Sequence, residues 1–226
     1  MTKMTDTART DTGAEESAPT TRIRVWDPLI RVFHWGLVAA FAIAYLSAEE
    51  LDTVHEVAGY VVAGLIAFRL IWGLVGSHYA RFTEFLRGPS ATLGYTRDMV
   101  RGRERRYLGH NPVGAVMIVV LLAALSGTAY TGWLLEEPGR VAMLPDMPQI
   151  AAPAFADEDG EAGEYGRESG GDEIVEELHE TLANITLFLI ALHIVGVVLS
   201  SFRHHENLAR AMVTGDKRAP GPDDIT

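Results

Sequence analysis

Four stretches of the chain are apolar around most of the helical circumference, and each is about as long as a bilayer is thick. They are residues 28–47 (PLIRVFHWGLVAAFAIAYLS), 55–76 (HEVAGYVVAGLIAFRLIWGLVG), 112–135 (PVGAVMIVVLLAALSGTAYTGWLL) and 178–202 (LHETLANITLFLIALHIVGVVLSSF). A helix of ~20 residues spans a ~30 Å hydrocarbon core. A helix of a soluble domain would be shorter and would keep a polar face, which the third stretch lacks almost entirely. Pro112 suits the first turn of a helix, and Asn111 before it is a natural N-cap. The pattern predicts an all-α integral membrane protein: a bundle of four transmembrane helices filling a domain over residues 22–213.

The polar remainder explains why the mean hydropathy is only +0.10. Residues 1–21 (MTKMTDTARTDTGAEESAPTT) have no apolar core and are expected to form a solvated tail rather than a signal peptide. A second polar tail is expected over residues 214–226. The connection at 136–177 is rich in Gly, Pro and acids, with no apolar period. It holds thirteen acidic residues and two arginines, a local charge of −11 that equals the net charge of the whole chain.

Basic residues orient the helices. Lys3, Arg9, Arg22, Arg24 and Arg31 surround the start of the first helix. Arg81, Arg87, Arg97, Arg101, Arg103, Arg105 and Arg106 lie between the second and third. Arg203, Arg210, Lys217 and Arg218 follow the fourth. Only Arg140 and Arg167 fall on the other side, and Arg69 lies within a helix. The positive-inside rule then places both termini in the cytoplasm and the acidic connection outside. That connection reads as a solvated loop. Its charge also suits a docking surface for a basic soluble partner, since a concentrated field steers encounter. No nucleic-acid partner is expected.

The chain has no cysteine, which excludes disulfides, iron–sulfur clusters, thiolate haem ligation and covalent haem attachment. Its chemistry therefore falls to histidines. His179 and His193 are fourteen residues apart on the fourth helix, a rotation about 40° short of four turns and a rise of ~21 Å, so they share a face at two depths. His34 sits toward the cytoplasmic end of the first helix, and His55 opens the second at the outer end. Depth pairs His34 with His193 inside and His55 with His179 outside.

Imidazoles in lipid are costly and mark function. Two facing histidines within a helical bundle suit a bis-histidine b-type haem standing between helices, and two pairs imply two stacked haems. Gly36, Gly59 and Gly196 lie near the ligands, the last two on ligand faces. Single histidines also serve as interhelical hydrogen-bonding groups. A metal-ion transporter is the rival of another class; it would need carboxylates among its ligands, whereas Glu56 and Glu180 point about 100° away from the adjacent histidines. Arg69, fourteen residues after His55, falls near the inner depth, where it would pair with a haem propionate or snorkel to the surface. His110, in the GHNP sequence, would cap the third helix, or else serve a propionate or a quinone.

Several of these stretches together resemble the bacterial cytochrome b561 and nickel-hydrogenase b-type cytochrome subunit family. They are VWDPLIRVFHW, HEVAGY, FRLIWGLVG, YLGHNPVGA and LHETLANITLFLIALHIVG, spread over residues 22–213. The resemblance implies a four-helix membrane protein with two non-covalent b haems on His34, His55, His179 and His193. It implies electron transfer between the quinone pool and an external redox partner such as a cytochrome c, in the bacterial inner membrane. Compact members of the family imply an alternative, superoxide oxidation at the outer face with delivery to quinone. Hydrogenase subunits of the family often carry a further helix, where this chain has the polar segment MVTGDKRAPGPDDIT.

Overall fold

The structure is a computed structural model, and it describes residues 22–137, 139–141 and 164–225. The tail at 1–21 and the acids Asp157, Glu158, Asp159 and Glu161 of the outer connection lie outside the described residues. Helices dominate: α1 (Pro28–Ser47), α2 (Asp52–Val75), the short α3 (Phe82–Phe85), α4 (Pro89–Val100), α5 (Pro112–Leu135), α6 (Glu164–Arg203) and α7 (Leu208–Thr214). Two short strands, β1 (Arg22–Arg24) and β2 (Asp216–Arg218), pair antiparallel. Four helices, α1, α2, α5 and α6, are long and apolar enough to cross a membrane.

Start signals in the sequence set two of these helices. The Asp27 carboxylate accepts from the Ile30 amide ahead of Pro28, and the Asn111 carbonyl oxygen accepts from the Gly114 amide ahead of Pro112. Both fix the first turn. α2 begins at Asp52, three residues before His55, with no side-chain cap on Leu51.

The fourth spanning helix departs most from expectation. It starts at Glu164, fourteen residues before the expected 178, so the C-terminal part of the presumed loop is helical. The apolar run ends near 178, but helical hydrogen bonding does not need an apolar face. Glutamate is a good helix former, and acids near a helix N-terminus offset its dipole. At ~1.5 Å per residue the helix is ~60 Å long, about twice the hydrocarbon core. Its first third, before the apolar run that begins near 178, therefore extends beyond the hydrocarbon core.

Close backbone packing runs from α1 to α2, from α2 to α5 and from α5 to α6. Ala40, Val62, Ile66 and Leu125 form the shared core of the first three, with Leu37, Phe41 and Leu65 around them. Large apolar side chains such as Leu46, Leu74 and Phe202 face outward, as lipid-facing positions do.

At the other end from the outer loop, the residues after α7 are not a free tail. β2 pairs with β1, and the Val25 and Trp26 amides both donate to the Gly215 carbonyl. Gly215 has φ +88°, and an added Cβ would lie 2.8 Å from the Trp26 oxygen, so a side chain is excluded on both counts. Arg106, only 5 % exposed, donates to Glu206 at 3.0 Å and pairs with Asp224, and buried Lys217 donates to the Leu108 carbonyl at 2.8 Å. Residues 106–108, 206 and 217–225 are thereby stapled into a cap. The polar character that suggested a tail comes from charges that are buried and paired.

Candidate functional site

The structure brings His55 and His179 together. Their ring centres are 6.1 Å apart and their planes are inclined at 77°. Two imidazoles bound to one metal at ~2 Å each have ring centres roughly 6 Å apart. Each ring is also held from behind. His55 Nδ1 lies 2.8 Å from the Ala44 carbonyl of α1. His179 Nδ1 lies 3.0 Å from the Thr128 carbonyl and 3.0 Å from the Thr131 hydroxyl, both on α5. A carbonyl only accepts, so each Nδ1 carries the proton and each Nε2 keeps its lone pair for a metal. Gly132 makes room for this: a Cβ there would sit 3.0 Å from His179 Cε1.

His34 and His193, on α1 and α6, are held differently. His34 Nδ1 is enclosed with no hydrogen-bond partner among the described residues. The Trp35 ring stands edge-on to His34, 5.2 Å away. Each of these two pairs joins α6 to α1 or α2, and neither combination is among the closely packed helices. The ligand-bearing helices thus face each other across a space that backbone contact does not fill. Gly59 and Gly196 border open space, with nothing within 4 Å of an added Cβ, whereas Gly36 packs against Leu65 at 3.6 Å.

Arg69 does not snorkel. It is 4 % exposed, with its guanidinium 4.7 Å above the Phe82 ring and 5.9 Å from the Phe85 ring, and its Nη1 has no partner. Phe82 reaches it because Gly73 of α2 is bare; a Cβ there would come within 2.0 Å of the Phe82 ring. A buried guanidinium without a carboxylate is expensive. Nearby Asp27 already accepts from Ser77, the Trp72 indole and the Ile30 amide.

His110 does not cap α5, because Asn111 does. Its ring lies between Trp26, 4.6 Å away, and Phe85, 4.7 Å away, at the wall of a cavity of about 50 Å³. Burial above all, then the charges of Arg69 and Lys217 and the proximity of His193, push its pKa down to about 3, so the ring is neutral. Its enclosed Nδ1 has no partner. Thr186, on α6 seven residues from each of His179 and His193, is fully buried with an unpartnered hydroxyl. Sequence reasoning missed Thr131, Gly132 and Thr186. Position offers a signal for Thr186, which shares the ligand face. None existed for the carbonyls of Ala44 and Thr128, since every residue has one.

At the outer rim Arg140 ties Glu136 at 2.7 Å and Glu137 at 2.8 Å, and covers the Trp133 ring at 4.6 Å. Hydrogen bonds from Tyr60 and Arg140 and one with Glu56 hold the Glu136 carboxyl down at about 2. Arg140 therefore pairs with two of the acids counted in the outer connection and offsets the charge of one.

These donors can be tested against a known group. Among the described residues, no cluster of three or more His, Cys, Asp or Glu comes together, as a zinc or iron transport site would need. Two opposed imidazoles suit a metal whose other ligands arrive with a macrocycle. The sequence profile of prokaryotic cytochrome b561 matches residues 25–215. The chain belongs to that family. It is accordingly a multi-pass membrane protein of b-type cytochrome kind, and haem b is the group its family implies. Two curated relatives are each described as a probable Ni/Fe-hydrogenase B-type cytochrome subunit. One is from Azotobacter vinelandii and the other from Azotobacter chroococcum mcd 1. Each is 24% identical over 160 residues, covering 58% of this chain and 66% of the relative. The chain thus spans just under two thirds of those relatives' length. No solved structure matches it. For a cytochrome b561 family member, the opposed His55 and His179 with Nδ1 tied back, helices held apart and a buried cation with no paired carboxylate among the described residues all fit haem b.

Proposed function

We propose that the protein transfers electrons across the bacterial inner membrane through two bis-histidine b-type haems, between the quinone pool and a redox partner at the outer face. The observation that carries this reading is the His55–His179 pair, with ring centres 6.1 Å apart and each Nδ1 committed to an acceptor. His55 and His179 hold the outer group, and His34 and His193 the inner one. Haem at these positions supplies a reversible one-electron couple at two depths, ~21 Å apart along the α6 axis.

The protein's own contribution is positional and electrostatic. Ala44 and Thr128 fix the tautomer of the outer ligands. Arg69 offers a charge for a haem carboxylate at the inner level, which accounts for its burial without a protein carboxylate. Arginines concentrate at the end carrying both described termini, which supports a cytoplasmic placement for that end. At the opposite end α6 carries exposed Asp172, Glu173, Glu176 and Glu177 beyond His179. That acidic face supports docking of a basic soluble partner such as a cytochrome c.

A reduced-minus-oxidised spectrum and a pyridine haemochrome assay on the purified protein test the reading. Two acid–acetone-extractable b haems per chain are expected. A chain that binds no haem, or binds divalent metal instead, would overturn it.

A further inference from the structure

α4 has an arrangement that neither a buried nor a water-facing helix explains. Its inner face is Thr92, Tyr95, Thr96 and Met99, with Tyr95 buried edge-on to Tyr107 at 5.6 Å. Leu93 and Val100 lie about 140–160° around the helix from Tyr95. They are 72 % and 80 % exposed. Arg97 and Arg101 follow at about 200–240°, and Arg103 and Arg105 lie just beyond the helix; all four are exposed. The outward side thus has an apolar edge beside a basic edge. Leu86, also exposed, and Arg87 repeat the combination just before α4.

Both ends of α4 are tied to the ends of spanning helices. Before α4, Phe82 sits on Gly73 in the last turns of α2. After it, Arg203, the final residue of α6, donates to the Met99 carbonyl at 2.6 Å and to Glu104 at 2.7 Å. α4 is therefore held at the level of the ends of α2 and α6. A helix so placed, with one apolar and one basic edge, matches an interfacial helix whose apolar side chains enter the acyl boundary.

We propose that α4 and the arginines around it form a docking surface for anionic phospholipid of the leaflet at this end. Leu93 and Val100 enter the acyl region, and Arg97, Arg101 and Arg103 bind headgroup phosphates. The acids nearby do not oppose this. Glu104 is engaged by Arg203, Glu84 pairs with His78 at 3.2 Å, and Asp98, on the arginine flank about 60° from Arg101 and about 100° from Arg97, lies closer to the inner face than either. The inference is independent of the haem assignment.

Because the chain lacks cysteine, a single spin label can be placed by Leu93→Cys or Val100→Cys in full-length protein held in nanodiscs. Both labels should be accessible to oxygen and shielded from a water-borne nickel chelate, while a label at Arg218→Cys should show the reverse. In parallel, phosphatidylglycerol binding is measured by native mass spectrometry on wild type and on Arg97→Gln/Arg101→Gln/Arg103→Gln. At ~1 kcal/mol per arginine near an anionic surface, the triple variant should lose affinity on the order of 100-fold. Phosphatidylcholine binding and helix content should not change. Labels at 93 and 100 that read as aqueous would overturn the proposal, and so would unchanged phosphatidylglycerol affinity. Shielding that appears only when a soluble protein is added would assign the face to that protein instead.

Discussion

The outer and inner histidine pairs lie on the same helix face of α6, but their rings are held in different ways. Outside, His55 and His179 stand 6.1 Å apart, each with Nδ1 on an acceptor from a neighbouring helix. Inside, His34 Nδ1 has no partner, and neither does one nitrogen each of Arg69 and His110. The outer site has its tautomers and ring angles set by protein alone. The inner site keeps unsatisfied polar groups whose burial is unfavourable until something arrives to meet them. On the two-haem proposal, the outer site is preorganised, while the inner one would be completed by its ligand.

The largest effect that can break this comparison comes from removing a ligand. His179→Ala should abolish the outer haem and leave the inner one, and His193→Ala should do the opposite, each halving haemochrome stoichiometry. If either variant loses both haems, or neither, the pairing by depth fails.

The cap offers the next effect. Arg106 is buried with Glu206 and Asp224, and Lys217 lies 3.6 Å from Glu206. Breaking a buried ion pair costs ~3–5 kcal/mol. Glu206→Gln should therefore release the 216–225 segment, with faster hydrogen exchange at the Leu108 and Ile225 amides, which now bond across it. The inner haem should become more easily extracted, and the outer one should not change. Acid should mimic the substitution. Burial alone would raise the Glu206 pKa, but the hydrogen bond from Arg106 and the charge of Lys217 outweigh it and hold it below the ordinary value. The folded value being the lower one, the stabilisation is complete above the unfolded carboxylate range and disappears as pH falls through the folded value. Equal loosening of both haems by Glu206→Gln would mean that the cap does not act on the inner site alone.

These two tests also mark where the sequence was readable. α1 and α5 were legible because apolar runs coincide with Asp27–Pro28 and Asn111–Pro112, signals that act within one helical turn. The meeting of His55 with His179 was legible because helical depth follows from residue number. The cap was not, since Arg106 and Glu206 are a hundred residues apart and nothing local announces their meeting. The outer extension of α6 was hidden for another reason: a helix leaving the lipid loses its apolar pattern but not its hydrogen bonds. Arg69 was half legible. Spacing put it within the second helix, and its burial depended on Gly73 admitting the Phe82 ring.

Arg69 gives a mid-sized effect. A buried positive charge favours the reduced form of a nearby haem, and a charge-assisted hydrogen bond contributes about 1.5–3 kcal/mol. Arg69→Met should lower the inner midpoint potential by ~60 mV, the shift of a tenfold change for a one-electron couple. The outer potential should stay in place. Redox titration of the two haems in the same sample decides it. Equal shifts would place Arg69 between the sites rather than at the inner one.

The smallest effect tests whether the outer site owes its preorganisation to the backbone or to a side chain. His179 Nδ1 sits 3.0 Å from two acceptors, the Thr128 carbonyl and the Thr131 hydroxyl. The hydroxyl proton has its own acceptors, the Gly127 and Thr128 carbonyls, each 3.0 Å away, so Thr131 orients the ring only as a second acceptor. Losing all support behind a metal-bound imidazole typically lowers affinity 10–100-fold. Thr131→Val keeps the shape and removes one acceptor of two, so outer-haem retention should fall by less than tenfold and the inner haem should be unaffected. Thr128→Val should do no more, because the carbonyl it contributes belongs to the main chain. A drop of 100-fold or more from Thr131→Val would show that the hydroxyl, not the Thr128 carbonyl, holds the tautomer. The outer site would then depend on one side chain, and the contrast with the inner site would narrow accordingly.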